Sequence, residues 1–159
     1  MTVSKTRQKG KQRNGKPAAH LIGKSLSRMH TMQWKSNGDV AFTRKVTHSS
    51  PFTTLVTRRK GLYYIYCQVG FTGNATNIGV SLSSKVITLH DPTNENVTLF
   101  TGSESITATP SGNALWSTSL SQGGLANLSK GQKLYVHVSH PGLVDYTDGK
   151  TFFGLSLLS

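Results

Sequence analysis

The sequence is short of acid and nearly without cysteine. Only six of its 159 residues are Asp or Glu, against 18 Lys and Arg. The six acids are scattered, and no pair is placed for acid–base work. Cys67 is the single cysteine, so no intrachain disulfide can form. That suits a cytosolic chain without excluding a secreted one, because a domain of this length can bury a core without a staple. No His or basic residue flanks Cys67, so we expect a buried, small apolar side chain and not a reactive thiol. No apolar run approaches the ~18 residues of a membrane-spanning helix. The basic start is not followed by the apolar stretch of a signal peptide. Long helical periodicity and internal repeats are both lacking. His137 and His140 are three apart on a strand-like run, so they face opposite ways and make a poor metal pair. Gly23-Lys24-Ser25 has the end of a phosphate loop, but Ala18 stands where the earlier glycine belongs and no strand-loop-helix context exists. These absences argue against an enzyme: we expect no catalytic residue, no metal and no cofactor.

What is present is a β-rich domain behind a basic segment. The hydrophobic fraction of 35% excludes both a membrane bundle and a fully disordered chain. Of the net charge of +12, residues 1–30 contribute +8, with eight Lys/Arg and no acid. Residues 1–16 are polar and almost without apolar side chains, too little to offset their ordering entropy. We read them as a disordered basic tail, either a solvated stalk or an arm for nucleic acid or glycosaminoglycan. The folded domain is expected over 17–159. Three glycosylation sequons, at Asn74, Asn96 and Asn127, fall in or near expected turns and favour an extracellular chain.

From Pro17 onward, short runs rich in β-formers alternate with Gly, Asn, Asp, Ser and Pro clusters. Expected strands are Ala18–Ile22, Gln33–Trp34, Val40–Phe42, Thr53–Val56, Gly61–Phe71, Gly79–Ile87, Val97–Phe100, Ser103–Thr109, Leu115–Leu120, Leu125–Leu128, Lys133–His140 and Thr151–Leu158. The period of two, at this spacing, predicts an all-β fold: a two-sheet antiparallel sandwich of jelly-roll type.

Two strands say more. In Gly61–Phe71, alternation puts Tyr63, Ile65, Cys67 and Val69 on one face and Leu62, Tyr64, Tyr66 and Gln68 on the other. Near the C-terminus, Phe153, Leu155 and Leu157 oppose Phe152, Ser156 and Leu158. A sandwich buries only one face of each sheet. The second apolar face therefore predicts a cover, most simply further copies of the same chain. The alternative is a central strand pair buried within one monomer.

The segments GKPAAHLIG, GLYYIYCQVGFTG, Gly123-Gly124 with LANL and Lys130-Gly131, and KTFFGLSLL occur in the order seen in the tumour necrosis factor homology domain. Together they make residues 16–158 resemble that family. HLIGKSLSRMHTMQW and LYVHVSHPGLVDYTDGKTFFGL are similar to the Fas ligand branch in particular, with tumour necrosis factor itself and lymphotoxin-α as further branches. The resemblance implies a homotrimeric, extracellular or cell-surface cytokine that clusters receptors of the tumour necrosis factor receptor family, leading to death or inflammatory signalling. It also implies a membrane anchor outside this sequence and no nucleic-acid partner. It places Tyr66 and Phe152 at the trimer axis, Tyr64, Gln68 and Leu158 on the same faces, and His20 near the subunit contact. It assigns receptor contact to the loop His90–Asn96, with Asp91, Pro92, Thr93 and Asn94. A second contact falls in Pro141–Lys150, with Leu143, Asp145 and Tyr146, and a weaker third in Gly38–Arg44. Three departures stand out. Ser121 replaces an aromatic before the Gly-Gly turn, Ala126 replaces a phenylalanine, and Thr93 stands where Fas ligand has a tyrosine. The first two imply a thinner axis. The competing reading is a viral capsid jelly roll with a basic RNA-binding arm.

Overall fold

Alternation along Gly61–Phe71 extends further than the sequence pattern suggests, into a strand of 14 residues that organises half the molecule. The computed structural model describes residues 15–25, 29–90, 93, 95–107 and 115–159. The basic segment therefore lies outside the described residues up to position 14. The strands are β1 (Ala18–Gly23), β2 (Trp34–Lys35), β3 (Phe42–Arg44), β4 (Val46–Thr47), β5 (Leu55–Thr57), β6 (Gly61–Asn74), β7 (Ser81–His90), β8 (Glu95–Ser105), β9 (Leu115–Leu128), β10 (Lys133–Val138) and β11 (Phe152–Leu157). One sheet runs β2-β1-β11-β6-β9, with β3 also paired to β1. The other runs β4-β5-β10-β7-β8. All pairings are antiparallel. The chain is thus a two-sheet antiparallel jelly-roll sandwich.

The core lies between the sheets. Leu21, Tyr63, Ile65, Phe71, Leu82, Val86, Leu134, Val136 and Phe153 are fully buried there. Each large apolar side chain of this kind stabilises the fold by about 1.5–3 kcal/mol. Tyr63 keeps its hydroxyl satisfied by donating to the Arg59 carbonyl at 2.6 Å. Cys67 is buried as expected, and desolvation pushes its thiol pKa up to about 12.

Several strand boundaries move. Val97–Phe100 and the Ser103–Thr109 run form one strand as far as Ser105, and residues 108–109 lie outside the described residues. Leu115–Leu120 and Leu125–Leu128 are likewise one strand, so Gly123-Gly124 is strand and not turn. Those glycines pair with Tyr66 and Ile65 inside the β6–β9 ladder. A Cβ on Gly124 would stand 2.6 Å from the Phe100 ring of the opposite sheet, so glycine serves close packing here. β7 begins at Ser81 and runs on to His90, later than Gly79–Ile87. β10 stops at Val138, because His140 caps a 3-10 turn over Pro141–Leu143. Proline has no N–H to give a ladder. The sequon asparagines stand at or next to strand ends. Asn96 and Asn127 are exposed within strands, while Asn74 ends β6 and caps the 3-10 turn Ala75–Asn77.

Candidate functional site

The face of the first sheet that looks away from the core is built from rows that cross its strands. Antiparallel register aligns Phe42 (β3), His20 (β1), Gly154 (β11), Tyr66 (β6) and Gly123 (β9) in one row. Ile22, Phe152, Gln68 and Ser121 form the next row, and Ala18, Ser156, Tyr64 and Leu125 the one on the other side. Five of the six residues expected at a subunit contact thus fall on one continuous face. The sixth, Leu158, sits just past β11, where its N–H donates to the Leu62 carbonyl at 2.8 Å.

The rings in these rows touch. His20 lies 5.4 Å from Phe152 and 5.7 Å from Tyr66 between ring centroids. Tyr66 is 6.1 Å from both Tyr64 and Phe152. Tyr66 and His20 share a hydrogen bond of 2.6 Å between the hydroxyl and Nδ1. Burial lowers the His20 pKa, while burial and then the neighbouring Tyr64 raise that of Tyr66, so both are uncharged at neutral pH. Beside them, Ser121 donates to Gln68 Oε1 at 2.9 Å, and Gln68 Nε2 donates to the Lys150 carbonyl at 3.1 Å. Tyr64, Gln68, Ser121, Gly123 and Phe152 line a shallow concavity of about 390 Å³.

Glycines make room for the tyrosines. A Cβ on Gly154 would collide with the Tyr66 hydroxyl and with the Ala19 carbonyl, and a Cβ on Gly123 would stand 2.5 Å from the Tyr64 hydroxyl. Both rings therefore lie down across neighbouring strands. The resulting surface is apolar and open: Tyr64 is 42% exposed, Phe42 44%, Leu158 43% and Leu125 59%. Single exposed apolar side chains are ordinary, but these form a connected patch on a sheet whose other side is already core.

Sequence reasoning assigned Phe42 to a receptor loop and missed Leu125. Leu125 was hidden because a turn at Gly123-Gly124 breaks the parity that carries Ser121 and Leu125 to the same side. Restored parity also corrects Ala126. It pairs with Tyr63 and packs against the core, so it does not thin the outer face. Ser121 does stand on that face, as a polar partner of Gln68.

The loops expected to meet a receptor separate into two ends. Gly38, Asp39, Val40 and Ala41 line an open cavity of about 550 Å³ with Asp148 and Gly149, which joins the third expected loop to the second. In that second loop, Asp145 Oδ1 accepts from the Thr147 N–H at 2.9 Å, and Thr147's hydrogen bonds hold the carboxyl below its usual range. Tyr146 is half-buried and packs against the core, and Leu143 does the same from the 3-10 turn. Both therefore have packing roles beside any contact role. The described residues flanking the 90–96 loop end β7 and open β8 near Lys133, at the end of β10 opposite to the 141–150 loop. Asp91, Pro92 and Asn94 are outside the described residues, while Thr93 is an exposed turn residue. Among the described residues, no group of three or more His, Cys, Asp or Glu is placed to hold a metal, and no helix is long and apolar enough to cross a membrane.

Known proteins align with this arrangement. The model of the TNF (Tumour Necrosis Factor) family matches residues 32–158. The chain is similar to lymphotoxin-beta of Homo sapiens, 36% identical over 156 residues, covering 88% of this chain and 63% of that protein. It is similar to lymphotoxin-beta of Marmota monax, 36% identical over 153 residues, with 87% and 49% covered. Tumor necrosis factor ligand superfamily member 6 of Sus scrofa, the Fas ligand, is 34% identical over 137 residues, with 86% and 47% covered. The likeness to Fas ligand, the branch read from the sequence, thus stands below that to lymphotoxin-beta. The chain spans about half to two thirds of the length of these relatives.

Proposed function

The chain belongs to the tumour necrosis factor family, and from that premise we propose that it is the receptor-binding domain of an extracellular or cell-surface cytokine that assembles as a homotrimer. One observation carries the reading: the outward face of the β1-β11-β6-β9 sheet is aromatic and open, while its inward face is already core. Three copies meeting through this face around an axis would bury Tyr64, Tyr66, Phe152, Leu125 and the His20 ring. An aromatic ring covered in this way removes 150–250 Å² from water. The neutral His20–Tyr66 pair suits such burial, because it brings no charge to desolvate. The other reading compatible with a basic segment and a jelly roll, a capsid protein, accounts for the sandwich but not for the family match over residues 32–158.

In this proposal the protein is a ligand and not a catalyst. Receptor ectodomains of the tumour necrosis factor receptor family dock in the clefts between subunits. One set of contacts comes from residues 38–41 and the loop 141–150, with Leu143, Asp145 and Tyr146, at one end of the sandwich, since residues 42–44 of the third expected loop form β3. The other comes from Asp91, Pro92, Thr93 and Asn94. One trimer then gathers several receptor chains, and linked sites raise avidity without new contacts. Light scattering at micromolar concentration tests the assembly: the expected mass is about three times the chain mass of 17.2 kDa. A clean monomer would overturn it. A binding screen against receptor ectodomains tests the function, with failure to bind any as the contrary result.

A further inference from the structure

At the end of the sandwich where β6 begins and β9 ends, two loops carry cations side by side. Arg58, Arg59 and Lys60 join β5 to β6, and Lys130 sits between β9 and β10. Gly61 pairs with Leu128, which sets Lys60 and Arg59 against Ser129 and Lys130. Val46 pairs with Thr57, so Lys45 and Arg58 flank one rung of the β4–β5 ladder. Arg44 and Lys16 continue the group: Arg44 Nε donates to the Lys16 carbonyl at 2.9 Å, and Lys16 Nζ to the Leu158 carbonyl at 2.7 Å. All seven of these side chains are exposed.

The two loops are tied together. Gly131 N–H donates to the Thr57 carbonyl at 2.8 Å, Thr57 N–H to the Gln132 carbonyl at 3.0 Å, and Thr57 Oγ1 to the Ser129 carbonyl at 2.6 Å. Tyr63 holds the Arg59 carbonyl from beneath, and Arg58 Nε donates to Thr47 Oγ1 at 2.9 Å. The cations are thus presented on a fixed base. Among the described acids, Asp39, Glu104, Asp145 and Asp148 belong to the other end, and Glu95 is on β8, at the far edge of the second sheet. Exposed cations on loops tied to one another, with no described acid among them, make a positive field that would attract a polyanion. The sequence brings five further cations, Lys5, Arg7, Lys9, Lys11 and Arg13, ahead of Lys16.

We propose that this basal cluster is a binding site for a sulfated polysaccharide. Sulfate esters stay charged and need only fixed cations along a line. Single-stranded nucleic acid draws much of its affinity from exposed aromatic platforms. The tyrosine beneath this cluster, Tyr63, is fully buried, and Phe42, with the Arg44 guanidinium 6.0 Å over its ring, offers one exposed ring and not a succession of platforms. The site lies on a single subunit, so its test does not depend on assembly, and a trimer would only repeat it three times at one end.

The test is affinity for immobilised heparin across a salt series, using the full chain. Wild type should bind at 150 mM NaCl. Arg58→Ser/Arg59→Ser/Lys60→Ser should bind at least tenfold more weakly, with a salt slope reduced by about two to three. Lys24→Ser/Lys35→Ser/Lys85→Ser removes the same charge elsewhere and should stay within twofold of wild type. Lys45→Ser/Lys130→Ser gives a second reading should the first variant fail to fold. Removal of residues 1–14 should leave the dependence on Arg58, Arg59 and Lys60 intact. Equal loss in the cluster and control variants, or binding that follows residues 1–14 alone, would overturn the site. Competition by duplex DNA or phosphatidylserine vesicles as strong as that by heparin at matched charge would overturn the ligand class.

Discussion

The Tyr66 hydroxyl meets His20 Nδ1 at 2.6 Å across an intervening strand, and the residue of that strand lying between them is Gly154. The contact exists because position 154 has no side chain. Gly154→Ala would place a methyl group against both the Tyr66 hydroxyl and the Ala19 carbonyl. The carbonyl belongs to the backbone of β1 and cannot swing away as a side chain would. Overpacking of this kind costs about 1–3 kcal/mol. Urea unfolding of Gly154→Ala should show a lower midpoint with an unchanged slope, and an unchanged midpoint would mean that the sheet yields more easily than this geometry allows.

The same relationship explains what the sequence could convey. Period-two alternation identified the two-sheet sandwich, the two-faced strand at Gly61–Phe71 and the burial of Cys67, because these depend on neighbours along the chain. Register depends on neighbours across the sheet. No local pattern says that Gly154 stands opposite Tyr66, or that Phe42 extends the His20 row. Glycine was the main source of error. At Gly102 and at Gly123-Gly124 it suggested breaks, where the chain runs straight on and uses the missing side chain for close packing under Gln122, Tyr64 and Phe100. Two-residue strands such as Val46–Thr47 are too short to show a period at all.

Assembly through the aromatic face predicts a graded response to substitution there. Tyr66→Asp puts a charge where the ring and its hydroxyl would be covered, and an unpaired buried charge is far costlier than a lost ring. Leu125→Asp does the same at the more open edge. Both variants should run as monomers in light scattering at micromolar concentration. Tyr66→Phe keeps the ring and removes only the hydroxyl bonded to His20, a loss of about 1 kcal/mol, so it should still assemble. A trimeric Tyr66→Asp variant would place the subunit contact elsewhere.

Acid should weaken the fold through its histidines. Burial lowers the His20 pKa from its ordinary 6.5, and burial, then His30 and Lys85, lower that of His137. A histidine that resists protonation when folded takes its proton more readily when unfolded. The unfolded chain therefore binds more protons below pH 6.5. Stability should be full above that pH and should decline as pH falls through it toward the folded values. His20→Gln should flatten part of the decline and His137→Gln another part. Because covering the outer face would bury His20 further, only His20→Gln should also make assembly less sensitive to acid. Parallel acid profiles for wild type and the double variant would contradict this account.

Cys67 offers a check on the core that involves no substitution. The thiolate is the reactive form, and a pKa of about 12 leaves about one part in ten thousand ionised at pH 8. The sulfur is also shut between the sheets, since the residue is 1% exposed. Reaction with a disulfide reagent such as DTNB should therefore be limited by unfolding, with negligible labelling of the native chain and one thiol released in denaturant. The pKa also sets a sign at alkaline pH. The folded value is raised above the ordinary value of 9.0, so stability present below pH 9 should fall as pH rises toward 12, when the unfolded thiol ionises first. Rapid labelling of the native protein at pH 8 would show instead that β6 leaves its core face open, and the assignment of Tyr64 and Tyr66 to the outer face would fail with it, since the two faces are fixed by one alternation.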